Sequence, residues 1–182
     1  ALACLVSPST GSTFAAPERL ATSISQASDS LGSCSRSSCL LDLEGPITQR
    51  TYLAIAELIG RRSPNQVVEI HLNSLGGDLE AAVRIGRLLR SNAPVRATVL
   101  PSAVCASACV FALVGATTRL IGGSVAVHRP YTVDSRSRSH SDLQGQFAQL
   151  DEKARQYLID MNIAPSLYDE MLRYPPETLH TL

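Results

Sequence analysis

The 182-residue chain is long enough for one domain with a real core and too short for two comfortable ones. Its 16 Lys plus Arg balance its 16 Asp plus Glu, so the basic excess or stripe of a general nucleic-acid binder is missing. Apolar content is ordinary at 45%, and no run reaches the ~20 apolar residues of a membrane-spanning helix. The chain does not begin with Met, and its start reads as processed or truncated. Ala1-Leu2-Ala3-Cys4-Leu5-Val6 reads as the remnant of an export signal, in competition with an arbitrary fragment end; Ala1 to Cys4 is also a loose lipoprotein-type match. Ser7 to Ser38 is rich in Ser, Thr and Ala without a sustained period, and such a stretch cannot bury enough apolar surface to offset its ordering entropy. Residues 1–38 are therefore expected to be disordered, a linker or a signal remnant, and the domain to span 39–182.

Leu40 to Leu43 reads as a short strand, followed by a turn at Glu44-Gly45-Pro46. Thr48 can cap a helix running through Ile59, with Tyr52, Leu53, Ala56 and Ile59 on one face and Gly60 at its end. Val67 to Leu72 is a buried strand, and Asn73-Ser74-Leu75-Gly76-Gly77 turns the chain sharply. After Asp78, the residues Leu79, Ala82, Val83, Gly86 and Leu89 recur at helical spacing. A strand over Val95 to Leu100 is entered through Pro94. The small-residue segment Val104 to Ala116 then reads as a helix with Ser107 near its start. Strands over Thr118 to Ile121 and Ser124 to His128 follow.

This alternation predicts an α/β fold with a mainly parallel sheet covered by helices. Arg136-Ser137-Arg138 lies in a polar stretch, Tyr131 to Ser141, that reads as a solvated loop. Leu143, Phe147, Leu150, Ala154, Tyr157 and Met161 then form the seam of a helix over 142–161, packed either on its own domain or on a partner. Ser166 to Tyr174 is a last short helix, ended by Pro175-Pro176.

Singly, Gly-Gly is a tight turn, Ser107 a small packing residue and His128 a core histidine. Together they have a chemical logic. A serine hydroxyl is a weak nucleophile until a base accepts its proton, and histidine has a suitable pKa unperturbed. A tetrahedral oxyanion needs backbone N–H donors, which a glycine turn can bring close, and a helix start adds a favourable dipole.

Asn73-Ser74-Leu75-Gly76-Gly77, Cys105-Ala106-Ser107-Ala108-Cys109 and Val125-Ala126-Val127-His128-Arg129-Pro130 resemble the Clp protease proteolytic-subunit family, within the ClpP/crotonase fold. They look closest to its bacterial periplasmic, ClpP-like relatives, which share cysteines around the serine. The resemblance runs from about Leu40 to the C-terminus and departs at Leu75, where the family usually has proline. It implies a serine peptidase-like hydrolase acting on peptides or unfolded chains, with Ser107 as nucleophile and His128 as general base. The N–H groups of Gly77 and Ala108 would form the oxyanion hole, and no cofactor is required. The helix over 142–161 would project and build a homo-oligomer. The family's acid falls at Glu177, with Asp169 as runner-up, although the family usually has aspartate there. The family also continues with at least one further strand, so the chain is expected to be truncated at its C-terminus.

A non-catalytic relative that uses the fold for binding or assembly is the competing reading. An acyl-CoA-handling crotonase relative is a third, and the Ser107–His128 pair counts against it. Gly76-Gly77 lacks the G-x-G-x-x-G spacing of a dinucleotide site. The five cysteines show no paired Cys-x-x-Cys spacing, so no metal is expected. Free buried thiols and disulfides in an oxidising compartment explain them equally well. If exported, the protein is periplasmic, with Cys105 or Cys109 expected to pair with Cys34 or Cys39; the alternative is cytoplasmic.

Overall fold

The computed structural model describes residues 31–35, 37–63, 66–92, 94–131 and 140–182. The readings made for residues 1–30 and for most of the polar loop before the long helix lie outside them. The larger sheet has the order β1 (Gly32–Cys34), β2 (Ser38–Glu44), β3 (Val67–Asn73), β4 (Val95–Val99) and β6 (Thr118–Ile121). Strands β2, β3, β4 and β6 run parallel, and β1 pairs antiparallel with β2. The sheet thus begins before Cys39. Polar β1 carries no strand period of its own and is held by pairing, with Cys34 opposite Cys39 and a disulfide joining them.

Alternation in the sequence decides the two faces. Cys39, Leu41, Leu43, Val68, Ile70, Leu72, Val95, Ala97 and Val99 are buried on one side. The opposite side carries Leu40, Asp42, Glu69, His71, Arg96 and Thr98, half-buried or exposed. There Asp42 and His71 are direct neighbours across β2 and β3, their side chains 3.0 Å apart.

The buried face packs on α1 (Gln49–Arg61) and α2 (Leu79–Ser91). Thr48 caps α1 with a reciprocal box: its hydroxyl accepts from Thr51 N–H, and the Thr51 hydroxyl accepts from Thr48 N–H. Asp78 caps α2 by accepting from Ala81 N–H at 3.0 Å. Between them and the rest lies α3 (Cys109–Gly115), whose seven residues are all buried, as expected of a helix that is apolar all round. Arg90 and Arg119 donate to the carbonyls of Val114 and Ala116 at its end, where a cation is favoured.

The long helix is α4 (His140–Asp160). Its seam divides. Ala154, Tyr157 and Met161 are buried in this chain's own core, and the Tyr157 hydroxyl donates to the Phe111 carbonyl at 2.6 Å. Burial pushes that phenol well above its ordinary range. Phe147 and Leu150 remain half-exposed, Leu150 lining a groove with Leu79 and Val83 of α2. The helix α5 (Ser166–Arg173) follows, and no described helix is long and apolar enough to cross a membrane.

A smaller sheet has the order β5 (Val104–Ala106), β7 (Ser124–Val127) and β8 (His180–Thr181). The strand β5 runs parallel to β7, and β8 closes antiparallel on it, with Val127 opposite His180. Nothing in the Pro-rich end of the sequence pointed to β8; it exists because β7 offers an edge.

Candidate active site

Three chain reversals meet at the C-terminal ends of the parallel strands, the usual place for ligand chemistry in α/β sheets. The first follows β2 at Gly45 and the second follows β3 at Gly76-Gly77. Buried Ser74 ties them together: its hydroxyl donates to the Gly45 carbonyl at 2.6 Å and accepts from Gly76 N–H at 3.1 Å. Both Gly76 and Gly77 have positive φ, 104° and 141°, which an L side chain resists. Ile47 braces the turn from outside. Its N–H donates to Gly76 O at 2.8 Å, and its carbonyl accepts from Asp78 N–H at 2.9 Å.

The third reversal carries Ser107, and here the structure corrects the sequence. Val104 to Ala116 is not one helix. It is strand β5, a turn at Ser107 and helix α3, because Cys105 and Ala106 pair with Val125 and Ala126 on β7. Ser107 has φ 54°, the left-handed region that costs a non-glycine residue about 1–3 kcal/mol and clusters at functional sites. Its N–H donates to Ala126 O at 2.9 Å, and its carbonyl accepts from Val110 N–H at 3.0 Å. A disulfide between Cys105 and Cys109 spans this turn. Neither cysteine pairs with Cys34 or Cys39, since each pair is local, one joining β1 to β2 and the other β5 to the start of α3.

The Gly76 turn lies directly on the serine turn. A Cβ added at Gly76 would stand 2.9 Å from Ser107 Cβ, Ala108 N and Ala106 O. Next to this contact, the N–H groups of Gly77 and Ala108 donate to no acceptor among the described residues. One turn of chain therefore presents one free donor beside the serine, and the neighbouring turn presents the other.

His128 follows β7 and is 7% exposed. Because Ala106 faces Ala126 in the β5–β7 register, Ser107 and His128 emerge from the same ends of neighbouring strands. The Nδ1 of His128 lies 2.8 Å from Arg129 O, and its ring centre is 5.9 Å from that of Tyr131. No hydrogen bond joins Ser107 Oγ to the His128 ring among the described residues; in unliganded sites such bonds are commonly long.

Neither carboxylate expected from sequence makes an ion pair with the His128 ring among the described residues. Glu177 is exposed in a turn closed by Thr178 N–H to Pro175 O at 3.0 Å, with Pro176 and Glu177 at its centre. Pro175-Pro176 sets that turn, which counting along the chain could not show. Asp169 pairs with Arg155 at 2.7 Å. Sequence reading also missed a cluster beside β8. His180 stacks on Tyr174 with ring centres 3.9 Å apart, and Glu170 accepts from the Tyr174 hydroxyl at 3.0 Å. Among the described residues, no group of three or more His, Cys, Asp or Glu is arranged to hold a metal.

A sequence profile of the Clp protease family matches residues 28–165. Solved structures with the same fold include the membrane-bound stomatin-specific protease 1510-N, as a serine-to-alanine mutant. It has 19% identity and a TM-score of 0.60 over 78% of this chain and 71% of that one. ClpP1 of Listeria monocytogenes, as an asparagine-to-aspartate mutant, has 15% identity and a TM-score of 0.56 over 80% of each chain. No curated protein matches by sequence.

Proposed function

This chain belongs to the Clp protease family, and on that premise we propose that it is a serine peptidase that acylates on Ser107. The carrying observation is the stacking of the Gly76-Gly77 turn on the Ser107 turn, with the N–H groups of Gly77 and Ala108 unengaged. Ser107 Oγ attacks the substrate carbonyl carbon as its proton passes to His128 Nε2. The oxyanion so formed accepts from Gly77 and Ala108 N–H. Collapse breaks the carbonyl–nitrogen bond, and the imidazolium returns the proton to the departing amine. Water, with His128 again as base, then hydrolyses the ester. The test is phosphonylation by a fluorophosphonate probe, read by intact mass and mapped to Ser107. A well-folded, assembled protein that takes up no probe would favour the competing reading, a fold kept for binding.

The substrate class proposed is a peptide or an already unfolded chain, handled by a homo-oligomer. The half-exposed Phe147 and Leu150 of α4 support a contact between copies. Light scattering on the full chain is expected to give a multimer, and Phe147→Glu with Leu150→Glu to dissociate it; a folded monomer before mutation sinks this.

Export to an oxidising compartment is supported by the two local cysteine pairs. Alkylation under denaturing, non-reducing conditions, on protein from the host envelope, is expected to modify one of the five cysteines. Five modified thiols would remove the disulfide support for export and leave it resting on the first six residues and the family resemblance.

A further inference from the structure

We propose that the main-chain carbonyl of Arg129 orients His128 in place of a carboxylate, and that Arg129 is the positioning residue of the site. The His128 Nδ1 atom lies 2.8 Å from that oxygen. A carbonyl only accepts, so Nδ1 carries the proton of the neutral ring and Nε2 presents a lone pair. Among the described residues, no Asp or Glu lies within ion-pair distance of this ring: Asp169 is held by Arg155, and Glu177 stands exposed in its turn.

Three contacts fasten the carbonyl. Arg129 N–H donates to Tyr174 O at 2.8 Å, and its guanidinium donates twice to Leu172 O, from Nε at 3.0 Å and Nη2 at 2.9 Å. Both acceptors belong to the end of α5, where a helix leaves its last carbonyls without internal partners and where a cation is favoured. Pro130 follows at once and confines the Arg129 backbone to extended conformations. The α5 terminus therefore reaches the imidazole through a single residue.

The chemical consequence rests on the hydrolase reading above. When Ser107 Oγ–H passes its proton to Nε2, Nδ1 keeps its own. The imidazolium then faces a dipole rather than a full negative charge. The carbonyl fixes the tautomer and the ring angle, as the acid does in a triad, without the counter-charge.

Long-range proton–nitrogen correlation spectra of histidine-labelled full-length protein report which ring nitrogen carries the proton, with His128→Gln used for assignment. The Nδ1–H tautomer is expected in the unmodified protein and unchanged in Asp169→Asn and Glu177→Gln. Arg129→Ala is expected to admit the Nε2–H tautomer and to slow phosphonylation of Ser107 roughly 100-fold, the scale of an ångström-level misplacement. Arg129→Lys keeps a cation for the Leu172 carbonyl; it recovers part of both effects and stands in if the alanine variant does not fold. An Nε2–H tautomer in the unmodified protein overturns the proposal. So does a tautomer change in any carboxamide variant while the Arg129 variants are silent. The tautomer is read without a reagent on Ser107. A chain that never labels but keeps the Nδ1–H form therefore overturns only the hydrolase reading.

Discussion

His128→Ala is expected to slow phosphonylation of Ser107 by about 10²–10⁴-fold, the usual contribution of a positioned general base, and Ser107→Ala to abolish it. The two should not add in a double variant, because residues that act as a unit lose their effect together. The expectation follows from the β5–β7 register, which brings both residues out at the same strand ends, and from a bond on Nδ1 that leaves Nε2 to accept. Urea denaturation of His128→Ala separates this from a structural loss. Unchanged labelling in His128→Ala would show that Ser107 reacts without this base.

Gly115→Ala is expected to destabilise the fold by about 3 kcal/mol, the upper end for overpacking a tight contact. A Cβ there would stand 2.3 Å from Gly86 Cα and 2.4 Å from Gly86 O. Those are backbone atoms of α2, and no side-chain rotation relieves them. Gly86 has no room on its own side, for a Cβ on it would meet the Tyr157 hydroxyl at 1.8 Å and the Phe111 carbonyl at 2.6 Å. The helices α2 and α3 thus meet main chain to main chain, with α4 pressed on the joint through Tyr157. Urea denaturation measures the loss. Gly60→Ala is the control: nothing lies within 4 Å of its added Cβ at the exposed end of α1, so a change within about 0.5 kcal/mol is expected. A cost below that of an ordinary surface change at Gly115 would mean that the helices are not so closely apposed.

The large sheet was legible because β2, β3 and β4 alternate, burying one face and wetting the other. The cap Thr48 was legible because its side-chain oxygen serves a neighbour three residues on; the Asp78 cap was not read from the sequence. The serine turn was not. Ala, Cys and Val around Ser107 carry no period that separates strand from helix, and the break is imposed by β7, a partner distant in sequence. Edge strands β1 and β8 were hidden for the same reason. The α4 stripe was visible, but a stripe does not say whose core it enters; Tyr157 enters its own. The orienting group for His128 was invisible because a backbone carbonyl has no letter in the sequence.

The Cys105–Cys109 bond closes a very small loop around Ser107. On chain entropy alone so short a loop contributes only roughly 2 kcal/mol, below the values for long loops. Its main effect is therefore local, on the few dihedrals that hold the serine turn. Both cysteines are fully buried, so a thiol reagent reaches the sulfurs only when the turn opens. The rate of reduction is then a clock for opening at the serine itself. Protein prepared with and without reductant amounts to two preparations that differ at the reacting residue.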